Sequence, residues 1–228
     1  MNKLNITNLK LAVQKNGRLT NETMNLLYEA GFEFDVYKQG LFSSCRNFPL
    51  DILYLRDDDI PSYVESGVVD LGIVGQNILC EVNKSVKSII GLNFGFCSLS
   101  IAIPEESNIK KIKQLNNAKI ATSYPNSTKE YFKKKNILVN IITVSGSVEI
   151  TPALGMADGI VDLVSTGRTL ALNNLRVIEK IYDSQAMLIV GNKNNLQPKK
   201  QILMQQLINR FKKVLSGISS ISVKKIIL

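Results

Sequence analysis

Short apolar runs alternate with amphipathic segments along almost the whole chain. The apolar runs have the length of strands and are bounded by polar or glycine-containing segments: LKLAV, DILYL, DLGIV, LSIAI, KIATS, NIITV, IVDLV and AMLIV. Helical periodicity follows several of them, most clearly from Thr20 to the stop signal at Gly31. There Met24, Leu27 and Tyr28 share one face. This alternation predicts an α/β fold with mostly parallel sheets.

Further helix signals follow other apolar runs. The segment RDDDIPSYVESG places carboxylates and Pro61 where a helix begins, and both favour a helix N-terminus. Helices are also predicted after Asn126, after Val148 and after Thr169. The segment PKKQILMQQLINRFKKVL has an apolar stripe that predicts a helix packed on a core, formed by Leu203, Leu207, Phe211 and Val214. The last residues, ISSISVKKIIL, resemble the start of a strand.

The net charge of +9 comes from the C-terminal part of the chain. All 19 acidic residues lie at or before Asp183, whereas eight of the 28 lysine and arginine residues follow it with no acid among them. Such a tail is typical of a solvated helix face or of a contact with an acidic partner. Because Phe211 is the one aromatic residue in it, nucleic-acid binding ranks last among the functions considered.

Residue types that are missing narrow the chemistry. The chain has no histidine, which excludes serine–histidine triads and any other mechanism that needs an imidazole. Its three cysteines, Cys45, Cys80 and Cys97, are widely spaced and predict reduced thiols rather than a disulfide framework or a zinc site. The sequence contains neither a signal-peptide pattern nor an apolar run of about 20 residues. We therefore expect a cytoplasmic protein without a membrane segment.

The segment STGRT follows the predicted strand IVDLV and has the composition of an anion-binding loop. Gly167 permits backbone geometry that a side chain would obstruct, and Ser165, Thr166 and Thr169 add hydroxyl groups to the amides at the next helix start. This composition suits a phosphate monoester, although an ordinary turn has the same pattern. Asp162, three residues earlier, either meets ribose hydroxyl groups or serves as a structural hydrogen-bond acceptor.

Two other loops carry cations after predicted strands. Lys15 and Arg18 lie in QKNGR, and Arg56 begins RDDD. Ligands in parallel α/β sheets bind beyond the carboxyl ends of the strands, where these loops are expected. Anion binding and simple solvation both remain open for Lys15 and Arg18, as do anion binding and ion pairing at a helix cap for Arg56. In VSGSVE, Glu149 is expected in the first turn of a helix.

Four segments together resemble one enzyme family. QKNGRL, FPLDILYLRDDDIPSYVESGVVDLGIVGQN, IATSYP and GSVEITPALGMADGIVDLVSTGRTL occur in the order found in the ATP phosphoribosyltransferase family, which catalyses the first step of histidine biosynthesis. The resemblance extends from about Leu9 to Val214. The last segment matches the family signature of a glutamate, a glycine, an aspartate and a Ser/Thr-Gly-x-Thr loop. As an ordered set, these motifs are highly specific.

The resemblance implies a two-lobed fold similar to type II periplasmic binding proteins, with the active site in the cleft between the lobes. The expected first lobe comprises residues 1–97 and 184–228 with the C-terminal helix, and the second lobe, 98–183, binds phosphoribosyl pyrophosphate. The implied enzyme is a glycosyltransferase of the pentosyltransferase class. It transfers the phosphoribosyl group to N1 of ATP with release of pyrophosphate and uses Mg²⁺, whose ligands stay unassigned.

The same resemblance implies roles for individual residues. The second lobe would hold the 5′-phosphate with the loop Ser165, Thr166, Gly167, Arg168 and Thr169, and Asp162 would face the ribose. Lys15, Arg18 and Arg56 would meet the pyrophosphate or triphosphate groups, with Arg56 and Lys15 acting in catalysis. The missing histidine is compatible with this chemistry, because N1 of adenine has a lone pair and needs no base.

Three positions depart from the family pattern. Gly40, Ser98 and Ala153 stand where related sequences carry a basic residue, which predicts weaker nucleotide binding. Lys38 or Arg46 would compensate for the first change.

Length is the second departure, since the chain ends at Leu228, before the histidine-sensing third domain of long family members. The resemblance therefore implies the catalytic part without that domain, either as a genuine short form or as a truncated long form. Its expected assembly is a homo-oligomer (a dimer or higher) or a complex with a regulatory subunit similar to histidyl-tRNA synthetase. The alternative function is a non-catalytic cytoplasmic small-ligand binding protein of the same two-lobed fold.

Overall fold

The computed structural model describes residues 7–34, 40–192 and 196–224. The strands are β1 (Leu9–Gln14), β2 (Phe42–Ser44), β3 (Leu50–Leu55), β4 (Leu71–Gly75), β5 (Val86–Gly91), β6 (Cys97–Pro104), β7 (Lys119–Thr122), β8 (Asn140–Thr143), β9 (Gly159–Val164), β10 (Leu175–Ser184) and β11 (Ala186–Gly191). The α-helices are α1 (Thr20–Glu29), α2 (Ile60–Glu65), α3 (Gln76–Glu81), α4 (Pro125–Lys134), α5 (Arg168–Leu172) and α6 (Pro198–Lys224). Short 3₁₀ turns occur at Ile112–Leu115 and Val148–Ile150.

The chain divides into two compact units. Unit 1 comprises Met1–Leu79, Asn83–Gly95 and Gln185–Leu228, and unit 2 comprises Cys80–Val82 and Phe96–Ser184. Each unit contains one mixed sheet with helices packed on it. None of the helices in the described part of the chain combines the length and apolarity that crossing a bilayer requires.

The sheet of unit 1 has the strand order β2-β3-β1-β4-β11-β5. Both faces of its centre are buried, which explains the continuous apolar sequence of β1. Leu11 and Val13 pack into the cluster that contains α1 and α6, whereas Ala12 faces the cluster with α2. The stripe of α6 behaves as its periodicity predicts, since Leu207 and Phe211 are fully buried in the first of these clusters.

The prediction of a strand near the end of the chain is wrong for the residues up to Lys224, because α6 continues to that residue. A helix satisfies its own backbone hydrogen bonds, whereas a strand needs a neighbour to pair with. The remaining residues, 225–228, lie outside the described part of the chain.

The sheet of unit 2 has the order β10-β6-β9-β7-β8. Strands β9, β7 and β8 run parallel to one another, so their carboxyl ends lie at the same edge. Phe132 of α4 packs with Leu99, Ile101, Ile120 and Val161 of three strands in the main core of this unit.

The expected two-lobed α/β class is confirmed, but the expectation of mostly parallel pairing needs correction. Only β3-β1-β4 and β9-β7-β8 pair in parallel, and the other neighbours are antiparallel. A parallel neighbour requires a crossover connection, usually a helix. Strand β11 instead follows β10 after the single residue Gln185, and it joins its sheet without such a crossover.

Candidate functional site

A cavity of about 180 Å³ lies where β9 ends in unit 2. Its lining consists of Glu149 and the continuous segment from Asp162 to Leu170. The structure therefore brings together the six substrate-binding residues that the resemblance implies for this unit: Asp162, Ser165, Thr166, Gly167, Arg168 and Thr169. This position, at the carboxyl end of a strand inside a parallel trio, is where α/β sheets bind ligands.

The backbone of the loop turns at Gly167, which has φ +75° and ψ −4°. This left-handed conformation favours glycine. A Cβ atom at this position would meet no atom within 4 Å, so the requirement for glycine is conformational rather than steric. The turn directs the chain from β9 into α5, which begins at Arg168 and is only five residues long.

The polar atoms of this loop form few hydrogen bonds with the rest of the protein. The amide of Arg168 donates to Oγ1 of Thr166 at 3.5 Å, and Oγ of Ser165 donates to the carbonyl of Phe96 at 3.3 Å. Within the described residues, the amides of Thr166 and Gly167 donate to no protein acceptor. They are therefore available to an anion in the cavity.

The neighbouring helix start is arranged differently. The carboxylate of Glu81 accepts the amide of Asn126 at 2.8 Å and that of Ser127 at 2.9 Å, so both of its oxygens are used at the N-terminus of α4. A negative group at this end also complements the helix dipole. Of these two loops at the same sheet edge, one is already filled by a protein carboxylate and the other is open.

Asp162 projects from β9 into a largely buried environment. Burial raises the pKa of Asp162 to about 6; the hydrogen bond from the Leu163 amide, 2.8 Å from Oδ1, opposes this shift, and the charge of Glu149 adds to it. A carboxyl group with this pKa changes its ionisation near neutral pH.

Glu149 is a lining residue to which the sequence analysis gave no role in the site. It lies in the 3₁₀ turn Val148–Ile150, where a longer helix was expected. That expectation is wrong: Pro152 has no amide to donate to the carbonyl of Val148, and this carbonyl instead accepts the amide and the hydroxyl group of Thr151 at 3.1 and 2.7 Å. The glutamate of the family signature was the signal that could have identified Glu149.

The three predicted cations of unit 1 lie at the carboxyl ends of β1 and β3. Gln14 is paired with Leu55 in the parallel register, and Lys15 and Arg56 are the residues that follow them. The amide of Lys15 donates to the carbonyl of Leu55 at 2.8 Å. Arg18 donates through Nη1 to the carbonyl of Gly95 at 3.2 Å. All three side chains are exposed.

The contacts at this sheet edge distinguish between the two roles considered for Arg56, anion binding and ion pairing at a helix cap. Asp59 is the N-cap residue of α2, but its side chain makes no capping hydrogen bond. Oδ2 of Asp57 instead accepts Nε2 of Gln14 at 3.0 Å, which ties the two loops together. Arg56 forms no ion pair with any carboxylate among residues 7–34, 40–192 and 196–224. Its charge is therefore not used by a helix cap.

The departures from the family pattern lie in different places. Ser98 of β6 is the register partner of Val164, the last residue before the loop, and its Oγ lies 3.0 Å from Oγ of Ser100. Ala153 is exposed in the turn after Glu149. Gly40 and Arg46 belong to unit 1, and Lys38 lies outside the described residues.

No group of three or more acidic or thiol side chains that could hold a metal ion occurs in the described parts of the chain. The carboxyl groups that line the cavity are Glu149 and Asp162. This set fits Mg²⁺ as that ion is bound with phosphate substrates, through one or two carboxylates and the oxygens of the substrate.

Comparison with known proteins finds one matching family, HisG, ATP phosphoribosyltransferase, over residues 56–213. The ATP phosphoribosyltransferase of Cytophaga hutchinsonii is 43% identical over 208 residues, which are 91% of this chain and 72% of that protein. The ATP phosphoribosyl transferase (HisG:HisZ) complex from Thermotoga maritima has a chain with TM-score 0.79 and 28% identity, and the match covers 92% of this chain and 99% of that one.

A likeness to solute-binding proteins concerns the fold alone. The alkanesulfonate-binding protein SsuA from Xanthomonas axonopodis pv. citri, solved with MOPS bound, has TM-score 0.53 and 14% identity, with coverage of 94% of this chain and 80% of that chain. Identity this low leaves the side chains of the ligand sites free to differ.

Proposed function

This chain belongs to the ATP phosphoribosyltransferase family, and from that premise we propose how its described residues act in the reaction. The chain is a pentosyltransferase of the first step of histidine biosynthesis. It transfers the phosphoribosyl group of phosphoribosyl pyrophosphate to N1 of ATP, and pyrophosphate leaves. The question for the structure is which groups hold the substrate and which stabilise the departing charge.

The loop Ser165–Thr169 holds the 5′-phosphate of phosphoribosyl pyrophosphate. The observation that carries this proposal is the left-handed turn at Gly167 in the lining of a small cavity. The amides of Thr166 and Gly167 donate to no acceptor among the described residues. Hydroxyl groups of Ser165, Thr166 and Thr169 supply further donors. The backbone contributes more than the charge of Arg168, because several amides converge on one anion.

Asp162 meets the ribose hydroxyl groups. Asp162 lies in β9, three residues before the loop. Its Oδ1 accepts the Leu163 amide, whereas Oδ2 has no partner among the described residues. An ionised carboxylate is a pure acceptor and orients two neighbouring hydroxyl groups well. Glu149 lines the same cavity and lies close enough for its charge to affect Asp162.

Lys15, Arg18 and Arg56 stabilise the pyrophosphate or triphosphate groups. As the bond at C1 of the ribose breaks, negative charge develops on the departing oxygens, and fixed cations lower the energy of that state. Arg56 acts on the leaving group together with Lys15, and Arg18 binds. Mg²⁺, when bound, shields phosphate charge, and Glu149 and Asp162 are the carboxylates that would contribute to holding it.

The chemistry needs no general base from the protein. N1 of adenine carries an available lone pair, so the protein has to align N1 with C1 and exclude water rather than remove a proton. This explains how the reaction proceeds in a chain without histidine. Positioning and electrostatics then carry the rate enhancement.

The partners of the chain are its two substrates and other subunits. The Thermotoga maritima chain was solved as a HisG:HisZ complex, which supports a regulatory subunit similar to histidyl-tRNA synthetase for this chain. The other assembly is a homo-oligomer, a dimer or higher. We place the reaction in the cytoplasm.

One assay tests the proposal. Purified protein is incubated with ATP, phosphoribosyl pyrophosphate and Mg²⁺, and the N1-substituted adenine is followed by absorbance, with and without a candidate regulatory subunit. Product is expected with the complete mixture and not without phosphoribosyl pyrophosphate. Saturable ligand binding without product under either condition would instead support the small-ligand binding function.

A further inference from the structure

A groove runs between α4 and β8 in unit 2, and we call it the α4–β8 groove. Its volume is about 480 Å³. Most of the lining residues are apolar: Phe132, Ile137, Leu138, Val139 and Ile141. The polar lining residues are Asn136, Lys129 and Lys133. Leu138 exposes 72% of its surface. The groove shares no lining residue with the cavity at the 165–169 loop, so the proposed reaction leaves it unused.

One wall of the groove is an open sheet edge. Strand β8 is the last strand of its sheet, and no strand in the described part of the chain pairs with its outer side. The amides of Asn140 and Val144 donate to carbonyl groups of the β7 segment at 2.8 and 3.0 Å. Because successive residues of a strand point in opposite directions, the amides of Ile141 and Thr143 face away from β7.

The sequence of this edge makes it unusual. Residues 139–144 read VNIITV, with no charge, no proline and no glycine. Uncharged segments of high β propensity are hazardous at an exposed edge, and natural proteins shorten, charge or cover them. Strand β8 is short, with four residues, but it carries neither a charge nor a proline, so an added strand would find free backbone groups to pair with.

The rim of the groove is positively charged. Lys129 and Lys133 stand one helical turn apart on α4 and both line the groove, which contains no acidic residue. Their neighbour Lys134 pairs with Glu130 at 2.6 Å, but neither Lys129 nor Lys133 has a carboxylate partner among the described residues. Like charges at this spacing destabilise a helix, and nearby carboxylates would reverse the effect.

We propose that the α4–β8 groove binds an extended segment of a partner protein that carries apolar and acidic side chains on one strand face. Its backbone pairs with Ile141 and Thr143, its apolar side chains pack on Leu138, and its carboxylates meet Lys129 and Lys133. A second copy of this chain fits poorly, because pairing β8 with its counterpart would bring two sets of these lysines together. The proposal is independent of the proposed function.

Labelled peptides test this directly by fluorescence anisotropy with the full chain. The probe peptide alternates valine and glutamate on one strand face, with threonine on the other. One comparison peptide has lysine in place of glutamate, and another has serine in place of valine. We expect saturable binding of the probe alone, with slower hydrogen exchange at the amides of Ile141 and Thr143.

Charge reversal supplies the matched variants. The double variant K129E/K133E should lower probe affinity roughly tenfold or more, as loss of paired charges does at interfaces. The control K212E/K213E changes the charge equally on exposed residues of α6 and should leave the affinity nearly unchanged. Transferase activity should persist in both variants, which separates this test from that of the proposed function.

The proposal is overturned if the probe fails to bind, if the lysine peptide binds equally well, or if the two amides exchange as fast with the probe as without it. It is also overturned if K129E/K133E behaves like its control. A concentration-dependent dimer that Leu138→Lys abolishes would assign the groove to a second copy of the chain instead.

Discussion

The side chains of Asp162 and Glu149 line one small cavity, although 12 residues of chain separate them. The charge of Glu149 adds to the burial that raises the pKa of Asp162 to about 6. Two carboxyl groups near one another disfavour simultaneous ionisation. The cavity therefore favours a cationic or hydroxyl-rich ligand beside Asp162 and an anion at the amides of the loop.

Folding stability should depend on pH through Asp162. The pKa of this group rises from 3.8 in an exposed aspartate to about 6 in the folded chain, so its contribution is complete below about pH 4 and is lost as pH rises through 6. Asp162→Asn removes the ionisation. It should raise the free energy of unfolding on the order of 1–3 kcal/mol at pH 7.5, and by less at pH 4.5, as measured by urea denaturation.

Asp183→Asn is the control for this pH effect, because the Asp183 side chain is 73% exposed in the same unit and pairs with Lys180. Its difference from wild type should be small at both pH values. An Asp162→Asn difference that is equal at pH 4.5 and 7.5 would show that its effect does not come from ionisation.

Gly167→Ala should weaken phosphoribosyl pyrophosphate binding about tenfold or more. A non-glycine residue shifts the turn and moves the amides away from the phosphate, and the loss of a few hydrogen bonds accounts for a change in affinity of this size. The backbone strain should also lower the free energy of unfolding by about 1–2 kcal/mol. Gly67 of unit 1 is a matched control with φ +73° and no atom within 4 Å of a Cβ. Gly67→Ala should cost similar stability without affecting binding, and calorimetric titration that finds equal affinities for both variants would contradict the role of the loop.

Arg56→Ala should reduce kcat about 100-fold, the size expected when one group that stabilises developing charge is removed. Arg56 is exposed and has no ion pair with a described carboxylate, so the melting temperature should hardly change. Arg56→Lys keeps the charge and should recover part of the rate. Near-normal turnover of Arg56→Ala would remove this residue from the catalytic group.

The strands that the hydrophobic pattern missed are all edge strands. The pattern located the central strands of both sheets, since burial on both faces requires continuous apolar sequence. Strands β2, β5 and β10 lie at sheet edges, where one side is solvated and the apolar run is broken. Lys87 and Ser88 of β5, for example, are exposed. Edge strands are selected for such interruptions, so their sequence resembles that of a loop.

In the candidate site, the residues that are adjacent in sequence could be predicted, whereas a residue brought in by the tertiary fold could not. Asp162 and the 165–169 loop are consecutive in the chain, so a strand followed by a glycine turn was enough to place them together. Glu149 reaches the cavity from a separate turn, and only the tertiary fold brings it beside Asp162. Pro152 shortened the helix expected there, a local effect that the sequence did contain.

A buried ion pair fixes the start of α6 in unit 1. Nζ of Lys200 lies 2.8 Å from Oδ2 and 3.1 Å from Oδ1 of Asp70, and the amide of Lys10 also donates to Oδ2 at 2.8 Å. The side chains of Lys200 and Asp70 are 15% and 5% exposed. Lys200→Met should lower the free energy of unfolding by about 3 kcal/mol, because it leaves Asp70 buried without a cation.

Chemical denaturation checks this value, with Lys199→Met as the control because the neighbouring Lys199 is exposed. If the cost comes from the uncompensated charge rather than from lost packing, adding Asp70→Asn to Lys200→Met should recover much of the stability, since the amide of Lys10 still finds an oxygen acceptor. A double variant as unstable as Lys200→Met alone would assign the effect to packing of the lysine stem. Equal stability of Lys200→Met and Lys199→Met would mean that the ion pair contributes nothing to the docking of α6.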